Sequence, residues 1–135
     1  MFQLYGSLLY ALDETVILGA GLEPFDNGIF SHGSDSAYPP DRSHALFPSG
    51  LSIEWSNPSV DHEVMASALR NMSATIHAAA LADGQNVSDA VAYMNYALYG
   101  TPLEDLYGGN VGRLREIRAA IDPNNVMGLT GGWRF

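Results

Sequence analysis

Val60, Val64, Ala68, Leu69, Met72, Ile76 and Ala80 recur at three- and four-residue spacing, which predicts one long helix with a single apolar stripe. Asn57-Pro58-Ser59 carries helix-start chemistry, and Asp61 and Glu63 fall in the first turn, where the helix dipole favours negative charge. Gly84, just after Asp83, is a natural stop. A helix of this kind cannot bury its stripe alone, so the rest of the chain must supply a sheet or further helices to cover it. Leu51-Ser52-Ile53-Glu54-Trp55 alternates cleanly and predicts a half-exposed strand, with Leu51, Ile53 and Trp55 on one face. The β-branched run Thr15-Val16-Ile17-Leu18-Gly19-Ala20 suits a buried strand beside it. Gly19 and Gly21 allow a bulge or a close backbone approach there, and Glu23-Pro24 ends it.

The remaining segments are read around that pair. Phe2, Leu4, Tyr5, Leu8, Leu9 and Leu12 predict a short amphipathic helix ending near Asp13. Residues 25–48, rich in Gly, Ser, Asp and Pro, form a long connection without periodicity, and a loop of that length in a small domain is mobile or functional. Residues 87–96 fit helix or strand. Asn110 is expected to cap a last helix with the face Val111, Leu114, Ile117 and Ile121, closed by Pro123. The expected fold is a single α+β domain over residues 1–135, an antiparallel sheet with helices packed on one face. So few strands would leave sheet edges and an apolar patch uncovered, and a homodimer would cover them.

Charge narrows the partners. Fifteen acids stand against six arginines and no lysine, a formal charge of -9, which repels nucleic acid and anionic membrane surfaces. The chain has no cysteine, so disulfides, thiol nucleophiles and zinc-thiolate sites are excluded together. The apolar run of residues 1–12 lacks a basic leader and a cleavage site and is too short to span a bilayer, from which a cytoplasmic protein is expected. The sequons at Asn71 and Asn86 then read as chance occurrences. His32, His44, His62 and His77 show no paired ligand spacing, so no metal is expected. No serine sits in a G-x-S-x-G elbow.

Tyr93-Met94-Asn95-Tyr96-Ala97, Tyr107-Gly108-Gly109-Asn110, Arg113-Leu114 and Asp122-Pro123-Asn124-Asn125-Val126 follow one another in an order that resembles the C-terminal end of the berberine-bridge-enzyme-like, FAD-linked oxidases. The closing Gly131-Gly132-Trp133-Arg134-Phe135 is similar to the end of fungal members. The resemblance implies part of the substrate-binding domain. The flavin-binding half of the family, with its covalent His and Cys anchors, has no counterpart here, so no cofactor is expected in the isolated chain although FAD serves the full-length family.

The resemblance also nominates residues. Glu23, after Gly21-Leu22, matches a strand end at which relatives carry a catalytic Glu or a Gln. Half-enclosed among apolar side chains, such a carboxyl would have its pKa raised by desolvation and could exchange a proton near neutrality; otherwise it is a solvated acid beside a turn proline. Ser36-Ala37-Tyr38-Pro39-Pro40-Asp41-Arg42 resembles a segment that reads T-x-F-P-H-R in plant members, with Asp41 in place of the His. Tyr38, Arg42 and His44 become candidate substrate contacts, Arg42 as an anion or carbonyl anchor or as a surface ion pair. Tyr93, Asn95 and Tyr96 match positions that face flavin and substrate, on what the family suggests is a short extended element; they orient a carbonyl or enol, or satisfy backbone groups at a seam.

These readings favour a cofactor-free cyclase or isomerase of fungal-type secondary metabolism, with Glu23 and Tyr93 catalytic and a small hydrophobic metabolite as ligand. The alternatives are the C-terminal half of a split FAD-linked oxidoreductase that needs a flavin-domain partner chain, and a non-catalytic ligand-binding or interaction remnant.

Overall fold

A computed structural model describes residues 2–26, 28–33, 35–39, 47–131 and 134–135, the side chains of residues 2–4 excepted. The element order is α1 (Phe2–Tyr10), β1 (Ile17–Leu22), β2 (Ser49–Glu54), α2 (His62–Ala82), α3 (Leu103–Tyr107) and α4 (Val111–Ile121). Short 3-10 turns lie at Ile29–His32, Gly108–Asn110 and Met127–Thr130. This is α+β, with a two-stranded antiparallel sheet among the described residues. The chain divides into two compact units, residues 1–24 with 47–89 and residues 25–46 with 90–135.

In the first unit β2 is half-exposed as its alternation predicts, whereas β1, expected to be buried, is largely exposed. β1 pairs with β2 from Ile17↔Glu54 to Leu22↔Ser49, so Leu18 faces Ile53 and Ala20 faces Leu51 across the ribbon. Because opposed residues of an antiparallel pair share a side, Leu18, Leu51 and Ile53 form one apolar face. Leu9 of α1 and Met65, Ala68 and Met72 of α2 pack with Ile53 in one core, flanked by Val16, Leu18, Leu51 and Trp55. Both helices therefore cover the same side. Met65 and Met72, each 1 % exposed, contribute roughly 2 kcal/mol apiece by leaving water.

The expected stripe on α2 holds at Ala68 and Met72, with Val60 and Leu69 packed against the core, but at its start Met65 is buried whereas Val64 is 45 % exposed. The cap differs too. Asn57 makes a turn instead of a cap, its carbonyl accepting from Val60 N and its side chain from Ser59 N. Asp61 is the cap, accepting from Glu63 N at 2.9 Å, and the buried seam runs through residues 65, 68 and 72. The expected stop holds. Gly84, at φ +83°, donates to Leu81 O while Gln85 donates to Ala80 O, closing the last turn.

Asp13, read from the sequence only as a helix end, is the buried carboxylate of this unit, at 8 % exposure. It accepts from Thr15 N and Thr15 Oγ1 on its own turn, and from Ser56 N and Asn57 N just beyond β2. One side chain thus ties the α1–β1 turn to the β2–α2 turn. These donors, the Thr15 hydroxyl first, hold its pKa down from 3.8 to about 2. A carboxyl whose folded pKa is depressed stabilises the fold above its ordinary pKa and loses that contribution as pH falls toward the folded value. Stability should therefore drop between about pH 4 and pH 2. In Asp13→Asn that acid limb should flatten and the melting temperature at neutral pH should fall, read by circular dichroism against pH.

In the second unit, Leu106, Tyr107 and Val111 are buried, with Met94, Ala97, Leu103, Leu114 and Phe135 packed on them. The Tyr107 ring meets Phe135 edge to face at 5.0 Å, and its hydroxyl donates to Met94 Sδ at 3.4 Å. Burial raises the phenol pKa. Ala92 N, bonded to Asp105 O at 2.8 Å, holds the preceding segment to α3. The expected face of α4 fails beyond Leu114. Ile117 is 43 % and Ile121 79 % exposed. Asp122 does more than end that helix. Its carboxylate accepts from Val126 N and Met127 N, which lowers its pKa and starts the Met127–Thr130 turn. A Cβ at Gly128 would come within 2.6 Å of Asn125 Nδ2, so the Asn125 side chain would have to shift to admit one.

Candidate functional site

Aromatic rings line up in the second unit. Phe25 meets Phe30 at 6.3 Å, Phe30 meets Tyr38 at 6.5 Å, Tyr38 meets Tyr93 at 5.9 Å and Tyr93 meets Tyr96 at 5.2 Å, centroid to centroid. Edge-to-face geometry at these separations is the favourable arrangement for ring quadrupoles. Three of the expected site tyrosines are therefore neighbours.

The backbone that brings them together differs from the expected extended element. Residues 94–96 form a turn in which Tyr96 N donates to Tyr93 O at 3.0 Å, folding the ring of Tyr96 back onto that of Tyr93. Asn95 Nδ2 donates to the Tyr93 hydroxyl oxygen at 2.8 Å. That contact occupies an acceptor site of the phenol and leaves its own O–H to donate elsewhere. Tyr38 is half-buried, and its pKa is raised by burial and then by the neighbouring Tyr93. It stays a protonated donor well above neutrality.

Asn110 is the residue that sequence reasoning misplaced. It precedes α4 but makes no side-chain cap; its Nδ2 donates to Ser36 O at 3.0 Å and Ala37 O at 3.1 Å. Gly108, at φ +54°, lies against Pro39 and Val91. A side chain there would be strained by the backbone alone. The Tyr107–Asn110 turn thus anchors the 36–39 segment that carries Tyr38. An Asn before a helix suits capping equally well, so only the long-range contact reveals this role.

Glu23 belongs to the first unit. It is half-buried at the end of β1, and its backbone N–H donates to Pro48 O at 3.0 Å. Arg42 and His44, with Asp41, lie outside the described residues. An open hollow of the first unit, over Tyr5, Leu8, Leu9 and Val64, contains none of the expected site residues. Among the described residues no three His, Asp or Glu side chains gather as a metal site. No described helix is long and apolar enough to cross a membrane.

The order of motifs carried by this unit decides the relationship. Residues 92–130 match the family model "Berberine and berberine like". This stretch is similar to that family. It contains Tyr93, Asn95, Tyr96, Tyr107–Asn110 and Asp122–Val126. Glu23 and Tyr38 fall outside it. No curated protein and no solved structure matches the chain.

Of the arginines, Arg70 and Arg115 are turned to Glu63 and Glu104.

Proposed function

We propose that the berberine-like segment binds a small, planar, hydrophobic metabolite and orients it for cyclisation or isomerisation without a cofactor, in secondary metabolism of the fungal type. The observation that carries this reading is the Tyr38–Tyr93–Tyr96 group with Asn95 bonded to Tyr93. Ring edges and faces receive an apolar aromatic body, while phenol protons polarise a carbonyl or stabilise an enolate. Tyr93 is proposed as the donor that holds the oxygen on which charge develops; Glu23, in the first unit, is retained as a candidate proton-transfer group. Arg42 and His44 are retained as candidate substrate contacts.

Tyr93→Phe removes that donor while leaving the ring, so turnover is expected to fall by roughly tenfold with the melting curve unchanged. Assays would use aromatic ketones and enols as trial substrates. Equal turnover in parent and variant would remove Tyr93 from the mechanism.

A second reading is supported by the family relation: the chain acts as the substrate half of a flavin oxidase whose flavin domain is a separate partner. The visible spectrum separates the two. A colourless folded protein that turns substrate over supports the cofactor-free reading, and a yellow complex, active only with bound flavin, replaces it.

A further inference from the structure

The β1–β2 ribbon has a second edge to offer. Glu23 N donates to Pro48 O, and 23↔48 continues the register of the ladder, so the odd-numbered residues of β1 turn their backbone groups toward β2. Backbone direction alternates along an antiparallel strand. Leu18, Ala20 and Leu22 therefore direct N–H and C=O away from β2, and among the described residues these groups have no backbone partner. The strand Ile17–Leu22 carries none of the devices that blunt an edge, neither a charge nor a proline nor a bulge.

We propose that this edge pairs with the same edge of a second copy, antiparallel, about a two-fold axis through Ala20. In that register Ala20 faces Ala20 and Leu18 faces Leu22 of the second copy, and the three pairs exchange about six hydrogen bonds. Other registers fail on particular residues. A shift by two in one direction sets Pro24, which has no N–H, opposite Leu18. A shift in the other sets Val16, whose N–H is already bonded to Asp13 O, opposite Leu22.

Side chains agree with the central register. Leu22, 61 % exposed, would lie against Leu18 of the second copy on the core side of the ribbon. On the opposite side Gly19 faces Gly21, leaving nothing to obstruct the approach, and Glu23 stands beside Ile17 rather than another carboxylate. A chain of charge -9 meets itself along its neutral strand. The contact is smaller than a standard interface of about 800 Å² per partner, so micromolar rather than nanomolar dissociation follows.

Sedimentation of the full chain from about 1 to 100 μM should show a monomer–dimer equilibrium. Ala20→Lys, which sets two ammonium groups face to face on the axis, should weaken it by at least roughly tenfold. Because the chain has no cysteine, Ala20→Cys introduces a lone thiol. The Cα separation of a hydrogen-bonded pair, about 5.5 Å, allows a disulfide, so mild oxidation should link two copies through residue 20. Ile17→Cys should not link, since its opposite is Glu23. Circular dichroism of the reduced Ala20→Cys chain verifies that the fold is intact. A monomer throughout the range overturns the proposal, as does a dimer that survives Ala20→Lys, or equal cross-linking of the two cysteine variants.

Discussion

Met72→Asp is expected to unfold the first unit. Met72 is 1 % exposed between α1, α2 and the ribbon, so the carboxylate would be buried without a partner in a cavity shaped for a thioether. An uncompensated buried charge at such a position costs roughly 4 kcal/mol or more, comparable with the whole stability of a small domain. Thermal melts by circular dichroism should lose the cooperative transition. Met72→Leu, close in volume, should lower stability by less than about 1.5 kcal/mol, which isolates charge from shape. A Met72→Asp chain melting within a few degrees of the parent would remove this seam from the core.

Glu23→Gln carries the largest expected effect on activity. The amide keeps the shape and much of the hydrogen bonding of the carboxyl, but it cannot take up or release a proton at neutral pH. If Glu23 moves the proton, turnover should fall by roughly 100- to 10,000-fold while ligand affinity and melting temperature hold. Full turnover in the Gln variant would assign the chemistry to phenols alone. The ranking against Tyr93→Phe, expected to cost roughly tenfold, distinguishes proton transfer from orientation.

Periodicity made the scaffold legible. The 2-residue alternation of Leu51, Ile53 and Trp55 and the β-branched run near Val16 predicted the two strands and their pairing, because burial on one face imposes that pattern. The long helix was legible for the same reason. Its cap was not, since several residues from Asn57 to Asp61 could cap, nor was the burial of Met65 in place of Val64 at its start. Helical spacing also overstated α4, where Ile117 and Ile121 are exposed. Such spacing says which residues share a face but not what lies opposite.

The tyrosines of the candidate site were legible through their resemblance to a family, whereas the contacts that position them were not. Asn110 reaching Ser36 and Asp13 reaching Ser56 and Asn57 join residues dozens of positions apart. Short polar side chains near helix ends satisfy local donors so often that nothing in the sequence marks these two as long-range ties.

The path of the chain between its two units has a consequence for how the molecule comes into being. Residues 1–24 and 47–89 make one unit and residues 25–46 and 90–135 the other, so each is assembled from two separated pieces. Joining β1 to β2 closes a loop over residues 23–48, at an entropic cost of roughly 3 kcal/mol before any packing is gained. During synthesis from the N-terminus, the earliest segment waits for Ile53, Met65 and Met72 before its core can close, and Tyr38 waits longer still for Tyr93. A cut between residues 46 and 47 divides both units, whereas one after residue 89 leaves both pieces of the first unit on a single fragment. Isolating one of them calls for splicing its two pieces through a new linker, and the ribbon unit, with Asp13 pinning both turns, is the one whose ends already meet.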